Sequence, residues 1–248
     1  MKKLMIALVA LLFTFPMFAS AAGGNVHLEK ANYDLSDKAS LQNGAKLFMN
    51  YCFACHSTGH QRYQRVATDL GIPDELMREN LIFTDSKIGD LMHNSMDKKE
   101  SAKWFGAAPP DLTLEARLRG ADWIYTYLHS FYVDESRPFG VNNTVFPDVG
   151  MPHVLEELQG ISTPTYEVVV DADGIEHKTV VALTSDETGE MSSDEYDQAV
   201  LDLVNFLVYA GEPNKLERQS LGIWVLAFLF VLFIVSYLLK KEYWRDIH

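Results

Sequence analysis

The sequence predicts a mainly α-helical domain that carries one β-hairpin and is followed by a single membrane-spanning helix. Three observations predict it. Apolar residues recur at three- and four-residue spacing over several stretches, as in Leu41, Ala45 and Phe48, which is the period of a helix with one buried face. Between Tyr166 and Leu183 that period gives way to β-branched runs on either side of Asp173-Gly174, a hairpin-turn pair. Ser220 to Leu239 then contains no charged residue, and 20 residues at 1.5 Å rise span about 30 Å, the hydrocarbon thickness of a bilayer.

The chain begins with a second apolar run. Lys2 and Lys3, the apolar stretch Leu4 to Phe18 and the small residues Ala19-Ser20-Ala21 read as a secretory signal over 1–22, cleaved near Ala21 or Ala22. A short transmembrane helix is the poorer reading, because Pro16 interrupts a run that is already too brief. Residues 23–219 are therefore an exported domain, 220–239 the anchor and 240–248 a tail. Lys240, Lys241 and Arg245 put that tail in the cytoplasm by the positive-inside rule, and Trp224, Tyr237 and Trp244 suit the two membrane interfaces.

Within the domain, Asp37 to Cys52 is expected to be helical, with Ser36 as N-cap. A short helix is expected over Asp74 to Asn80 in an otherwise loop-rich 57–84, and another over Lys87 to Lys98, with Met92 and Met96 on a buried stripe. Pro109-Pro110-Asp111 breaks the chain ahead of a helix through Thr113 to Arg119. Ala121 to Tyr132 follows as helix, with Trp123, Tyr127 and Phe131 on one stripe. Phe139 to Pro152 is rich in turn formers and reads as an extended loop. The hairpin occupies about 164–185. Ser192 and Glu195 form a capping box for a helix that runs to Ala210 and is stopped by Gly211 and Pro213; Leu216 to Gln219 links it to the anchor.

The charge is lopsided. Of 21 basic and 34 acidic residues, Lys2, Lys3, Lys240, Lys241, Arg245, Glu242 and Asp246 lie outside the domain, leaving 16 basic and 32 acidic residues and a net charge of −16. Such a surface repels nucleic acid and attracts basic partners at salt-dependent rates.

The chemistry sits at Cys52-Phe53-Ala54-Cys55-His56, which holds the chain's only two cysteines. Two thiols three apart, followed at once by an imidazole, have the spacing of covalent haem attachment: the thiols add to two vinyl groups and the imidazole lies under the iron. A disulfide is the default for an exported pair, but it makes no use of the histidine. A zinc site wants more ligands at metal spacing, and a redox dithiol wants a surrounding βαβ pattern that is absent. Gly44 and Phe48, eight and four residues before Cys52, complete a resemblance to class I cytochromes c. That resemblance implies a close crossing of the first and last helices, with Leu203, Phe206, Leu207 and Tyr209 on the partner face. For a sixth ligand, position favours Met151, in a loop between Gly150 and Pro152, with His153 its nearest rival.

Asn50-Tyr51-Cys52, Cys55-His56-Ser57, Gly106 to Leu112 and Met151-Pro152, with the last helix, single anchor and basic tail, resemble the cytochrome c1 family. The resemblance covers nearly the whole mature chain. It implies one covalently bound haem c with His56 and Met151 as iron ligands, Pro109 and Pro110 lining its pocket, and Arg119, or else Arg117, at a propionate. It also implies an electron-transfer subunit of a bacterial quinol–cytochrome c oxidoreductase (bc1 complex), with cytochrome b, a Rieske iron–sulfur protein and a cytochrome c acceptor as partners in a dimeric complex. The haem domain would lie in the periplasm, anchored in the inner membrane. The alternative is a stand-alone tethered cytochrome c or a cytochrome subunit of a terminal oxidase. The hairpin has no assigned role, and the extra cysteine pair of some family members is missing here.

Overall fold

A computed structural model describes residues 27–170 and 176–245. The signal segment 1–22, the Asp173-Gly174 turn and the last three residues of the tail lie outside the described residues.

Helix α1 (Lys38–Leu47) starts at Asp37, whose carboxylate accepts from the Ser40 amide at 3.1 Å. Ser36, the expected cap, donates its hydroxyl to Asp34 instead. Both residues suit the position, but Asp37 lies three before a free amide, where an N-cap acceptor is needed. The helix then widens into one π turn (Phe48–Cys52), a feature that re-aims side chains near functional sites. Strand β1 (Thr58–Arg62), α2 (Tyr63–Leu70), ended by left-handed Gly71, and α3 (Asp74–Asn80) follow.

The helix expected over Lys87–Lys98 does not form. Leu91–Met92 is a two-residue strand, β2, antiparallel to β1, and helix α4 (Lys98–Phe105) begins only after Asp97 accepts from the Lys99 and Glu100 amides. Met92 is buried as expected, but in a strand; Gly89 and Asn94 weaken a helix through this stretch. After α5 (Glu115–Leu118), α6 (Ala121–His129) stops three residues short of Tyr132. Its continuation Phe131–Val133 is a strand, β3, paired with β4 (Val141–Asn143) inside the segment read as loop. Helix α7 (Glu156–Gln159) leads into β5 (Ser162–Val170) and β6 (Glu176–Ser185). These two pair antiparallel from Ser162↔Ser185 upward, with an irregularity between Thr165 and Tyr166.

Helix α8 (Ser193–Gly211) carries the expected Ser192–Glu195 capping box and is the spine of the core. Val200, Leu203, Val204, Phe206 and Leu207 are buried on it, in one core cluster with Leu41, Ala45 and Phe48 of α1. Phe48 and Phe206 meet at 5.4 Å. Beside them runs a polar seam, buried at Ser40, Asp202 and Asn205, in which Asp202 accepts from Ser40 at 2.5 Å and from the exposed Asn43 at 2.7 Å, and Asn205 donates to Ser40. Because each member has a partner, the seam costs little desolvation and fixes the register of the crossing. Helix α9 (Lys215–Tyr243) contains the whole expected anchor, and the expected linker is its first turn. It is the one helix among the described residues long and apolar enough to cross a membrane.

Candidate haem site

The π turn ends at Cys52, and the amides of Cys55 and His56 both bond back to the Cys52 carbonyl. The motif is therefore wound into one tight loop. Cys52 is buried and Cys55 partly so, and neither is in a disulfide. Burial, with Cys55 close by, pushes the Cys52 thiol up to about 12. Burial raises Cys55 as well. Both sulfurs are held as protonated thiols.

His56 is fixed by a bond from its Nδ1 to the Pro110 carbonyl at 2.8 Å. A carbonyl can only accept, so the proton sits on Nδ1 and the Nε2 lone pair is left free to bind a metal. Burial lowers the His56 pKa, opposed by the Pro110 bond, which keeps the ring neutral. Pro110 is itself held in place. The Leu112 amide donates to the Ser57 carbonyl at 2.8 Å, and the Gly59 amide donates to Asp111 Oδ2 at 2.7 Å. A side chain at Gly59 would run into the His93 ring and that carboxylate. Burial raises the Asp111 pKa, but the bonds from Thr113 and Gly59 outweigh it and bring it below the ordinary carboxylate value. Pro109 is half-buried beside these contacts.

Met151 is half-buried, and its sulfur accepts from the Tyr127 hydroxyl at 3.3 Å. Tyr127 stacks on Trp123 at 5.0 Å and meets the edge of Phe131 at 5.1 Å. Burial pushes its phenol well above the usual range, with Arg119 pulling the other way. The Arg119 guanidinium lies 4.3 Å over Trp123 and 5.7 Å from Phe146, and its Nε donates to Glu115 at 2.9 Å. Arg117 packs elsewhere, its Cγ only 3.1 Å from where a Cβ on Gly211 would sit. His153, the rival ligand, stacks on Phe131 at 4.8 Å, and burial lowers its pKa to about 4.

One segment joins the two halves. Gly150, next to Met151, lies against the Phe105 carbonyl, where a Cβ would come within 2.4 Å. From Phe105, five residues lead to Pro110 and hence to His56, a span of at most about 18 Å. Gly106 to Asp111 thus runs between the imidazole and the thioether. A cleft of about 590 Å³ opens beside Ala54, lined in part by Met49, Phe53, Met96 and Trp104.

The donor set fits a covalently attached haem: two free thiols, an imidazole with the correct nitrogen free, and a thioether across a connecting segment. Among the described residues no group of three or more His, Cys, Asp or Glu side chains is arranged around a bare ion. The sequence placed Trp123 and Tyr127 on a helical stripe but gave them no part in the site. The spacing of Trp123 and Tyr127, four apart within α6, was the available signal, because i,i+4 residues stack on one helix face.

The family model for the Cytochrome C1 family matches residues 29–247. Over the full length of both chains, the sequence is 53% identical to cytochrome c1 of Allochromatium vinosum. It is 47% identical, again over the full length of both, to a protein named ammonia monooxygenase gamma subunit from Nitrosomonas europaea. With the mitochondrial cytochrome c1 heme protein of Neurospora crassa it shares 28% identity over 84% of this chain and 62% of the relative. The chain belongs to the cytochrome c1 family.

Proposed function

We propose that this chain is the electron-transfer subunit of a quinol–cytochrome c oxidoreductase, with Cys52 and Cys55 attaching one haem c and His56 and Met151 ligating its iron. The observation that carries the reading is the 2.8 Å bond between His56 Nδ1 and the Pro110 carbonyl. It selects the tautomer an iron ligand needs and ties the Cys-x-x-Cys-His loop to the Pro-Pro-Asp-Leu segment. Haem c supplies a one-electron couple at its iron, whose potential the thioether raises.

The chain's own residues position and shield. Pro109 and Pro110 line the pocket, and Pro110 orients the imidazole. Arg119, flattened against Trp123, presents a guanidinium to a propionate, with Arg117, whose stem lies against Gly211, as the alternative. Residues 23–219 form a periplasmic class I cytochrome c-like domain with a hairpin insertion at about 164–185, preceded by a cleaved signal over 1–22. Helix α9 anchors it in the inner membrane, with 240–248 in the cytoplasm and cytochrome b around the helix. The subunit takes single electrons from the Rieske protein and passes them to a cytochrome c acceptor, which the acidic surface steers toward it. The complex is dimeric, and the subunit catalyses quinol oxidation only as part of it. The relative named for ammonia monooxygenase carries another assembly in its name; the His56–Pro110 pair and the free thiols favour the cytochrome reading.

Purification of the detergent-solubilised chain tests the assignment. Cytochrome b and a Rieske protein are expected to copurify, and the reduced spectrum is expected to be unchanged by carbon monoxide. A chain that purifies alone and fails to restore quinol oxidation to a deletion strain would be a stand-alone tethered cytochrome.

A further inference from the structure

Tyr127 holds the only hydrogen bond made to the Met151 sulfur among the described residues. A thioether has no proton, so the phenol must be the donor. Both ends of the tyrosine are fixed. Its ring lies between Trp123, stacked at 5.0 Å and 10°, and Phe131, edge-on at 5.1 Å. Its backbone carbonyl accepts from the fully buried Asn143 at 2.8 Å. The hydroxyl therefore points to one place, and Met151 lies there. A thioether sulfur has two lone pairs; the phenol occupies one and leaves one for a metal.

We propose that Tyr127 is a positioning residue for Met151, whose hydroxyl fixes the thioether's orientation and draws electron density from its sulfur, so that the bound haem has a higher reduction potential. This rests on Met151 as the sixth ligand. The sign follows from charge: a sulfur already donating to a proton donates less to the iron, and the ferric state loses more by that than the ferrous state does. Such a bond is worth about 1 kcal/mol net, and where most of that is lost on oxidation the reduction equilibrium shifts about three- to tenfold. At 59 mV per tenfold for one electron that is about 30–60 mV.

The test uses the full chain with its haem, in detergent, as wild type, Tyr127→Phe and Met151→Leu. Phenylalanine keeps the ring stack and removes only the hydroxyl. The expected result is a Tyr127→Phe protein that keeps the sulfur-to-ferric-iron charge-transfer band, with its potential lowered by that three- to tenfold shift. If the band persists and the potential is unchanged, the proposal falls while Met151 remains the ligand. If Met151→Leu leaves both band and potential as in wild type, the ligand assignment itself fails and takes the proposal with it. Should Tyr127→Phe not accumulate, fluorotyrosine placed at 127 supplies the other arm. A more acidic phenol donates more strongly and is expected to raise the potential; no rise overturns the proposal.

Discussion

Gly44 of α1 presses directly on the Asp202 carbonyl of α8: a Cβ at position 44 would stand 1.9 Å from that oxygen and 2.6 Å from its carbon. Neither atom belongs to a flexible side chain, so an added methyl must force the helices apart. Gly44→Ala gains helix propensity, about 1 kcal/mol, and loses much more. Separation of α1 from α8 opens the Phe48–Phe206 contact and strands the Ser40, Asn43 and Asp202 seam. We expect a net loss of about 3–5 kcal/mol. Thermal unfolding of the variant checks it, and a melting temperature equal to wild type would show that the crossing has slack.

That contact is also a measure of what sequence can tell. Gly44 and Phe48 marked the crossing through the resemblance to class I cytochromes c, which their offsets from Cys52 carry locally. The Ser192–Glu195 box and the uncharged run of α9 are local too, and each element formed where expected. What failed was pairing across a distance. Met92 and Met96 are four apart, as on a helix, yet Leu91–Met92 pairs with β1, some thirty residues upstream. Phe131–Val133 looks like more helix until Val141–Asn143 is laid beside it. The same holds in the site. Cys52, Cys55 and His56 are legible because they are contiguous, whereas the Pro110 carbonyl that orients His56 is a backbone atom 54 residues away. No residue pattern advertises it.

Asp111 ties the Pro-Pro-Asp-Leu segment to Gly59 and Thr113, and these bonds hold its carboxyl below its ordinary 3.8 despite burial. A depressed folded-state pKa means the unfolded chain binds the proton more readily. Asp111 therefore stabilises the fold above pH 3.8, and that contribution is lost as pH falls through its depressed value. Asp111→Asn is expected to cost about 2 kcal/mol at neutral pH, since one amide oxygen cannot replace two charged acceptors. The melting curves of the two proteins should converge as the pH drops below 4. A gap that stays constant down to pH 3 would mean that the carboxylate charge is not what matters.

Met151→Leu keeps the side chain's volume and removes its sulfur. Covalent attachment needs only Cys52, Cys55 and the folded path to them, so the haem stain on a denaturing gel is expected to match wild type. With Met151 as the proposed ligand, the reduction potential is expected to fall, and by more than in Tyr127→Phe, because the donor is lost rather than weakened. Carbon monoxide is then expected to bind the reduced protein. Wild-type potential in this variant would move attention to His153.

Helix α9 is joined to the domain by contacts that precede its apolar part. Arg65 donates to Asn214 at 2.6 Å, Lys215 Nζ donates to the Tyr33 hydroxyl at 2.7 Å, and Arg218 pairs with Glu212. Every one of these lies before Ser220. A chain ended after Gln219 keeps them all, together with the whole of α8, and removes the segment whose apolar side chains are exposed from Leu221 to Leu239. Burial of those side chains in lipid is worth about 25 cal/mol per Å², far beyond what any surface contact of an acidic domain can replace. The truncated protein is therefore expected in the soluble fraction, with its melting temperature within a few degrees of the full chain's. If it stays with the membrane after a high-salt wash, something other than α9 holds the domain there. If it is soluble but melts far lower, the anchor contributes to the fold as well as to its location.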